Sequence, residues 1–240
     1  MKIAILGYGK MGEQVEIVAN EYKHQIVAFI DDEEDWKNHL DKIKSADVAI
    51  EFSTPQTVLA NIKRCFEYNI PIVVGTTGWY DQMEQVKQAC INGNHSLLYA
   101  SNFSLGVNLF FALNLALAKI MNGYKDYDVN IEEIHHINKK DAPSGTAITL
   151  ANDIISIVDE KKNWINEPNN NSNELSIKSQ RLNNTVGTHI VSYTSEFDCI
   201  EIKHSAFNRK SFAIGAVKSA QWLIDKKGFF CFKDIIGELK

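Results

Sequence analysis

The segment Gly7-Tyr8-Gly9-Lys10-Met11-Gly12 limits the fold of this chain more than any other, because it stands between an apolar run and a helical pattern. The apolar run, Lys2–Leu6, has the length and composition of a buried strand. A G-x-G-x-x-G between a strand and a helix is typical of a dinucleotide-binding turn, whereas an isolated match often arises by chance. The sequence therefore predicts a strand-turn-helix unit whose helix amino terminus binds phosphate through these six residues.

An acid that accepts hydrogen bonds from the adenine ribose is expected about 20 residues after such a turn. Asp31 lies 19 positions after Gly12, at the end of a second apolar run, and Asp32 competes with it. The Asp31 carboxylate would repel a 2′-phosphate and so favours NADH, whereas Lys10 could pair with that phosphate. The sequence thus predicts NADH or NADPH as the cofactor, with a contact from Asp31, and leaves the choice open.

Short apolar runs alternate with helix-length segments over the first hundred residues, which is the pattern of stacked βα units around a parallel sheet. The predicted strands are Lys2–Leu6, Gln25–Ile30, Val48–Phe52, Pro71–Val74 and Ser96–Tyr99. The predicted helices are Met11–Glu21, Thr57–Tyr68 and Asp81–Asn92. We therefore expect an α/β fold with a Rossmann-type doubly wound parallel sheet that binds its ligand at the carboxyl ends of the strands.

Small and polar residues follow the third, fourth and fifth predicted strands. These residues are Phe52, Ser53, Gly75, Thr76, Thr77, Ala100, Ser101, Asn102 and Phe103. Each loop alone is equally typical of an ordinary turn, and Phe52 is equally typical of an aromatic residue in the core. Because parallel strands end at the same edge of a sheet, the loops together predict a trough for the nicotinamide end of the cofactor.

The pattern changes after residue 104, so we predict a second domain from 105–207 and a dinucleotide-binding domain from 1–104 and 208–240. The second domain is expected to be α+β, with a mixed, largely antiparallel sheet. Its predicted helices are Val107–Met121 and Thr146–Val158, and its predicted strands are Val129–His135, Leu175–Arg181, His189–Ser195 and Asp198–His204. The asparagine-rich segment Asn163–Asn173 is predicted to be a loop. The final pieces, Ala213–Ile224 and Phe230–Ile236, could return to the first domain.

Reactive side chains are densest between Glu132 and Ala147. Two histidines, His135 and His136, and two lysines, Lys139 and Lys140, stand close together there. Lys and Arg number 25 against 30 Asp and Glu, so this is a local cationic site in an acidic chain. That balance argues against nucleic acid or a membrane as partner, and the local charge suits a small dicarboxylate.

The segment Pro143-Ser144-Gly145-Thr146 has the pattern of a helix start. The Ser144 hydroxyl is suited to cap the helix, and the N–H groups of Gly145 and Thr146 could then bind a carboxylate. We therefore predict substrate contacts from His136, Lys139, Ser144, Gly145 and Thr146.

Two other interpretations of the cationic segment are weaker. A metal site is not expected, because adjacent histidines on a strand point to opposite faces and no Cys or third His stands at ligand spacing. A solvated charged face would leave several donors at a capped helix start without an acceptor. His189, His204, Arg181 and Arg209 are candidates that we expect to be structural rather than catalytic.

Taken together, the motifs resemble the dihydrodipicolinate reductase family, and the resemblance spans most of the chain. It is carried by Gly7–Gly12, Gly75–Gly78, Asn102–Asn108, His135 to Ala147, Val186–His189 and Phe212–Ala216. The stretch from His135 to Ala147 is highly specific, whereas many dehydrogenases share the glycine turn.

The resemblance implies NAD(P)H-dependent reduction of 4-hydroxy-tetrahydrodipicolinate to tetrahydrodipicolinate, in diaminopimelate and lysine biosynthesis. It implies hydride transfer to C4 of the substrate, proton donation by Lys139 and acid/base catalysis by His135. It also implies that His136, Gly145 and Thr146 hold the substrate carboxylates, and that the second domain assembles a homotetramer. The first apolar run is too short for a signal peptide, so we expect the chain in the cytoplasm. The alternative is a dinucleotide-sensing Rossmann protein without catalysis.

Overall fold

The computed structural model describes residues 1–167, 171–183 and 185–239, and the chain forms two compact units. Unit 1 comprises Met1–Leu105 and Arg209–Lys240, and unit 2 comprises Gly106–Asn208. Each unit contains a hydrophobic core of its own. Among the described residues, no helix has both the length and the apolar character that crossing a membrane requires.

Unit 1 is built on a parallel sheet whose described strands follow the order β11-β5-β4-β3-β1-β2. These strands are β1 (Lys2–Leu6), β2 (Gln25–Ile30), β3 (Val48–Glu51), β4 (Ile72–Val74), β5 (Ser96–Tyr99) and β11 (Gly228–Cys231). The helices are α1 (Lys10–Glu21), α2 (Glu33–Asn38), α3 (Leu40–Lys44), α4 (Val58–Glu67), α5 (Met83–Asn92), α8 (Lys210–Leu223) and α9 (Phe232–Ile235). A short 3₁₀ turn, Tyr80–Gln82, precedes α5.

Helices cover both faces of this sheet, which explains why its strands are continuous apolar runs. Ile3 and Ile5 of β1 pack in one core with residues of α1 and α8. Ala4 and Leu6 point to the opposite face and pack in a second core with residues of α4. The Rossmann-type sheet expected from the sequence is confirmed.

Helices α2 and α3 are not predicted by the sequence pattern, because each is very short. Asp32 caps α2, its side chain accepting hydrogen bonds from the N–H groups of Glu34 and Asp35. Of the carboxyl-terminal pieces, the helical pattern Ala213–Ile224 corresponds to α8, whereas the strand-like pattern Phe230–Ile236 is a strand only to Cys231 and then a helix. Strand β11 pairs in parallel with β5, and α9 begins directly after it.

Unit 2 contains a second sheet, with the described strands in the order β10-β9-β6-β8-β7. These strands are β6 (Asp128–His135), β7 (Asn163–Ile165), β8 (Glu174–Arg181), β9 (Gly187–Thr194) and β10 (Cys199–Ala206). The helices are α6 (Leu105–Met121) and α7 (Gly145–Ile155). The sheet is mixed, as expected. Strands β6, β9 and β10 pair antiparallel, and β6, β8 and β7 pair in parallel.

One face of the second sheet is buried and the other is half exposed, so side chains along β6 and β9 alternate between core and surface. Val129, Ile131 and Val191 pack in the unit 2 core with residues of both helices. The predicted loop Asn163–Asn173 is wrong at its start, because Asn163–Ile165 pairs with β8 and Trp164 packs against the core. The asparagine run at 169–170 lies outside the described residues.

Candidate active site

The glycine turn follows β1 and leads into α1. Gly7 has φ of +91°, and a Cβ built on it would stand 2.4 Å from the carbonyl oxygen of Phe52. Both the conformation and the close approach require glycine. The Gly7 N–H donates to the Ile30 carbonyl at 2.7 Å, which fixes the turn against β2.

The amino terminus of α1 is open. Gly9 is its N-cap, and a Cβ built on Gly9 would meet no atom within 4 Å among the described residues. No described side chain caps this helix start. An uncapped helix amino terminus presents N–H donors and a positive dipole end, which suit a phosphate.

Asp31 and Asp32 have different roles. The Asp31 carboxylate accepts the Tyr8 backbone N–H at 2.6 Å, so it stands directly beside the glycine turn. A carboxylate has about four acceptor positions, so Asp31 can accept further hydrogen bonds. Asp32 caps α2 instead. Lys10 is exposed at the first position of α1.

The remaining predicted cofactor residues follow β3, β4 and β5 at the carboxyl edge of the sheet. The Phe52 ring lies under Gly75, where a Cβ would approach its ring carbon to 2.0 Å. Phe103 is 2% exposed and packs edge-on against Phe52 and Phe232, so its side chain belongs to the core. Phe52 is partly buried against the same core.

A carboxyl group that the sequence places at the wall of the trough is buried at this edge. Glu51 ends β3, is fully buried and binds the side chain of Ser53. Burial raises the pKa of Glu51, with hydrogen bonds from Ser53 acting in the opposite direction. The Thr76 hydroxyl acts on Glu51 in the same direction as Ser53, so these two buried groups lie beside each other. The open start of α1 fits a phosphate-bearing ligand at this edge of unit 1.

In unit 2, the predicted catalytic residues lie at the carboxyl end of β6. His135 is the last residue of the strand and is 7% exposed. His136 begins a turn in which its carbonyl accepts the Lys139 N–H at 3.1 Å. The Lys139 ammonium binds both carboxylate oxygens of Asp141, at 2.8 and 2.7 Å. This ion pair lowers the pKa of Asp141.

Glu133 is the centre of this cluster and is fully buried. It lies two residues before His135, so both side chains point to the same face of β6. Its Oε1 accepts from Nη1 and Nη2 of Arg181, each at 3.3 Å. Its Oε2 accepts the Ser144 N–H at 3.0 Å and lies 3.3 Å from His135 Nδ1.

Arg181 fastens the loop that carries the lysine. It ends β8, directly opposite His135 in the sheet. Its Nε donates to the Lys139 carbonyl at 3.3 Å, and its Nη2 donates to the Asp141 carbonyl at 2.6 Å. One guanidinium group therefore links the Lys139 loop to Glu133.

Ser144 forms the predicted helix cap. Its hydroxyl accepts the Ala147 N–H at 3.2 Å and lies 3.1 Å from His189 Nε2. The side chain is therefore occupied within the protein. Gly145 is exposed and has open space around it, so the first turn of α7 remains accessible to an anion.

Burial and charge set the protonation of the buried groups. Burial, with help from nearby His135, lowers the pKa of His189 to about 3, so this ring is neutral near pH 7. Burial disfavours the ionised form of Glu133, but its hydrogen bonds, first among them that of His135, outweigh burial and hold its pKa well below the ordinary range. Glu133 is therefore a carboxylate.

Sequence reasoning misses Glu133 and treats Arg181 and His189 as structural candidates. The signal for Glu133 is its position two residues before His135 on a predicted strand. The sequence argument against a metal does not foresee His189, which lies on β9. In the structure, ligand atoms of Glu133, His135 and His189 lie within 4.8 Å of one another. Arg181 and the Ser144 N–H already compensate the carboxylate, so we assign no metal there.

Two models of known families match the chain. One, described as "Dihydrodipicolinate reductase, N-terminus", matches residues 1–103, and the other, described as "Dihydrodipicolinate reductase, C-terminus", matches residues 106–236.

Curated relatives share the same name. The 4-hydroxy-tetrahydrodipicolinate reductase of Christiangramia forsetii is 47% identical over 240 residues, covering 100% of this chain and 99% of the relative. The protein of that name from Thermosipho africanus is 35% identical, covering 99% of each chain. Among solved structures, the dipicolinate-bound dihydrodipicolinate reductase from Paenisporosarcina sp. TG-14 is similar with a TM-score of 0.77 and 26% identity, covering 98% of this chain and 99% of that one.

Proposed function

This chain belongs to the dihydrodipicolinate reductase family, and from that membership we propose how its own residues carry out the reaction. The protein is a nicotinamide-dependent oxidoreductase that reduces 4-hydroxy-tetrahydrodipicolinate in diaminopimelate and lysine biosynthesis. The alternative of a dinucleotide sensor without catalysis is not favoured, since these relatives are enzymes.

Unit 1 binds the cofactor in this proposal. The open start of α1 receives the pyrophosphate on the N–H groups that follow Gly9. Asp31 accepts hydrogen bonds from the adenine ribose, and Lys10 is available to a 2′-phosphate if NADPH binds. The loops after β3, β4 and β5 hold the nicotinamide end. NADH and NADPH are both proposed as cofactors.

Unit 2 binds the dicarboxylate and handles protons. One carboxylate is placed on the accessible first turn of α7, at the N–H groups of Gly145 and Thr146, with His136 nearby in the sequence. Ser144 supports that turn with both of its polar groups: its hydroxyl accepts the Ala147 N–H, and its backbone N–H donates to Glu133. The relative from Paenisporosarcina carries dipicolinate, a ligand of the same dicarboxylate class.

Lys139 donates the proton that completes the reduction, and His135 acts as acid/base. When bound, the cofactor would supply the hydride that goes to C4 of the substrate, after or together with loss of the C4 hydroxyl as water. A positioned general acid of this kind contributes about 10²–10⁴-fold to the rate. Lys139 is held in place by Asp141 through contacts with both carboxylate oxygens.

One observation carries the assignment of the site. The buried pair of Glu133 and Arg181 ties His135, the Lys139 loop and the start of α7 into one cluster. An acid/base group, a proton donor and an anion site are thereby brought together, as reduction of a dicarboxylate requires.

The test is a coupled assay with the synthase that makes the substrate. Loss of reduced nicotinamide should depend on freshly made substrate, and the specificity constants kcat/KM for NADH and NADPH follow from the same assay. Binding of NADH or NADPH without any substrate-dependent oxidation would contradict the proposed function.

We also propose that the protein is a cytoplasmic homotetramer assembled through unit 2. The second sheet leaves one face half exposed, and Phe197 and Phe207 are 87% and 89% exposed. Exposed apolar groups of this size often mark interfaces. Light scattering should give about four times the chain mass of 27.1 kDa, and the monomer mass would contradict the assembly. A fluorescent fusion would test the location.

A further inference from the structure

We propose that Glu133 is a positioning residue that places the proton of neutral His135 on Nδ1 and so leaves Nε2 to exchange protons during the reaction. The inference rests on the proposed function, since it concerns the acid/base role given to His135. It goes beyond that function by naming the nitrogen that acts and the residue that selects it.

The Glu133 carboxylate favours a proton on the nearer ring nitrogen of His135. Ionised Glu133 can only accept hydrogen bonds, and its Oε2 lies 3.3 Å from His135 Nδ1. A lone pair on Nδ1 would face a negative oxygen, whereas an N–H there is attracted to it. At 3.3 Å this contact is long, so the carboxylate acts on Nδ1 chiefly through its charge.

Hydrogen bonds fix the orientation of the Glu133 side chain. Two guanidinium nitrogens of Arg181 hold Oε1, and the Ser144 N–H holds Oε2. Full burial makes loss of these partners costly for a charged group. The carboxylate therefore keeps one orientation toward His135.

The other ring nitrogen of His135, Nε2, lies beside Gly187. A Cβ built on Gly187 would stand 3.1 Å from His135 Nε2, so the glycine leaves space at that atom. A partner that exchanges a proton with the ring needs such access at Nε2. In Gly187→Ala, the added methyl group would crowd His135 Nε2.

The titratable and charged groups near His135 come from several elements of unit 2, and Glu133 is the anion in contact with its ring. The others are His189 on β9, which is neutral, Arg181 on β8, and the ion pair of Lys139 and Asp141 on the loop. Removing the charge of Glu133 should therefore remove the attraction that favours a proton on Nδ1.

The direct test needs no variant of Glu133. In protein labelled with ¹⁵N-histidine, a long-range ¹H–¹⁵N spectrum distinguishes protonated from unprotonated ring nitrogens, and His135→Asn identifies the His135 signals. We expect neutral His135 to carry its proton on Nδ1. A proton on Nε2 would overturn the proposal. This readout is independent of turnover, so an inactive enzyme would contradict the proposed function without deciding the tautomer.

The second test compares Glu133→Gln with Glu132→Gln, the same change at the neighbouring residue on the opposite face of β6. Glu133→Gln should lower kcat by about 10- to 100-fold and move the imidazole limb of the pH–rate profile down by about one pH unit. Glu133→Asp, which keeps the charge, should restore much of the profile. Glu132→Gln should leave the limb in place. An unmoved limb in active Glu133→Gln would overturn the proposal.

Discussion

The two candidate binding regions are built in different ways. In unit 1 the glycine turn works through backbone: one strand, one turn and one helix start lie within a dozen residues of each other. In unit 2 the site works through side chains from β6, β8, β9 and the start of α7, joined by the buried carboxylate of Glu133. The first region is local in sequence and the second is not.

This difference determines how each region should respond to substitution. A backbone site depends on the absence of side chains, so added methyl groups should damage it. A side-chain cluster depends on charge and protonation, so changes of ionisable groups and of pH should damage it. The following predictions test that contrast, beginning with the largest effect.

Replacing Lys139 by alanine should give the largest change in activity. Loss of the proton donor should lower kcat by at least about 10²-fold, while cofactor affinity stays unchanged because no unit 1 residue is altered. Stopped-flow oxidation and a fluorescence titration with NADH measure the two quantities.

The matched control is Lys140→Ala, which removes an exposed lysine next in the chain. Its kcat should remain within about threefold of the wild type. Near-normal turnover of Lys139→Ala would remove Lys139 from the mechanism.

Two alanine substitutions in the glycine turn should separate fold from binding. In Gly7→Ala the alanine must adopt a left-handed conformation and its Cβ meets the Phe52 carbonyl, so the free energy of unfolding should fall by about 2–4 kcal/mol.

In Gly9→Ala the added methyl group meets no described atom, so the free energy of unfolding should change by less than about 1 kcal/mol. The methyl group lies at the proposed phosphate site, so cofactor affinity should fall about tenfold or more. Urea unfolding and cofactor titration measure these effects, and equal affinities for Gly9→Ala and wild type would contradict the phosphate site.

Acid should destabilise the protein through unit 2. His189 has a folded pKa of about 3, below its ordinary value of 6.5, so the unfolded chain binds the extra proton. Stability is therefore lost as pH falls from about 6.5 toward about 3, by at most about 1.4 kcal/mol per pH unit from this group. The lowered pKa of Glu133 acts in the same direction below about pH 4.5.

Urea unfolding at several pH values tests this linkage. His189→Gln should show a shallower loss of stability between about pH 6 and pH 5, where Glu133 does not yet contribute. Parallel curves for variant and wild type would show that His189 is not the neutral buried group.

The smallest predicted effect concerns cofactor preference. Asp31→Asn keeps an acceptor for the Tyr8 N–H but removes the charge, so the ratio of kcat/KM for NADPH to that for NADH should rise about tenfold. Asp32→Asn is the control, because asparagine also caps helices well and Asp32 is the α2 cap. An unchanged ratio in Asp31→Asn would place the adenine ribose elsewhere.

The same contrast explains what the sequence could predict. Strands β1 to β5 and the Ser144 cap are local patterns, and the structure has them. Helix α2 and strand β7 are too short to leave a clear pattern, and β7 depends on pairing with β8.

Within unit 2, the partners of Glu133 lie 11 and 48 positions away in the sequence. Their contacts are created by strand pairing, which no periodicity reveals. The binding residues proposed for unit 1 belong to short local motifs. Such motifs can be identified in the sequence without knowing which strands pair.

Transfer of hydrogen from cofactor to product is the most direct measurement. The reduced cofactor would be labelled with deuterium at the nicotinamide C4, on one face or the other, and used with freshly generated substrate. Mass spectrometry of the product should show one deuterium from one of the two labelled forms and none from the other. Oxidation of both forms without deuterium in the product would contradict the reductase mechanism.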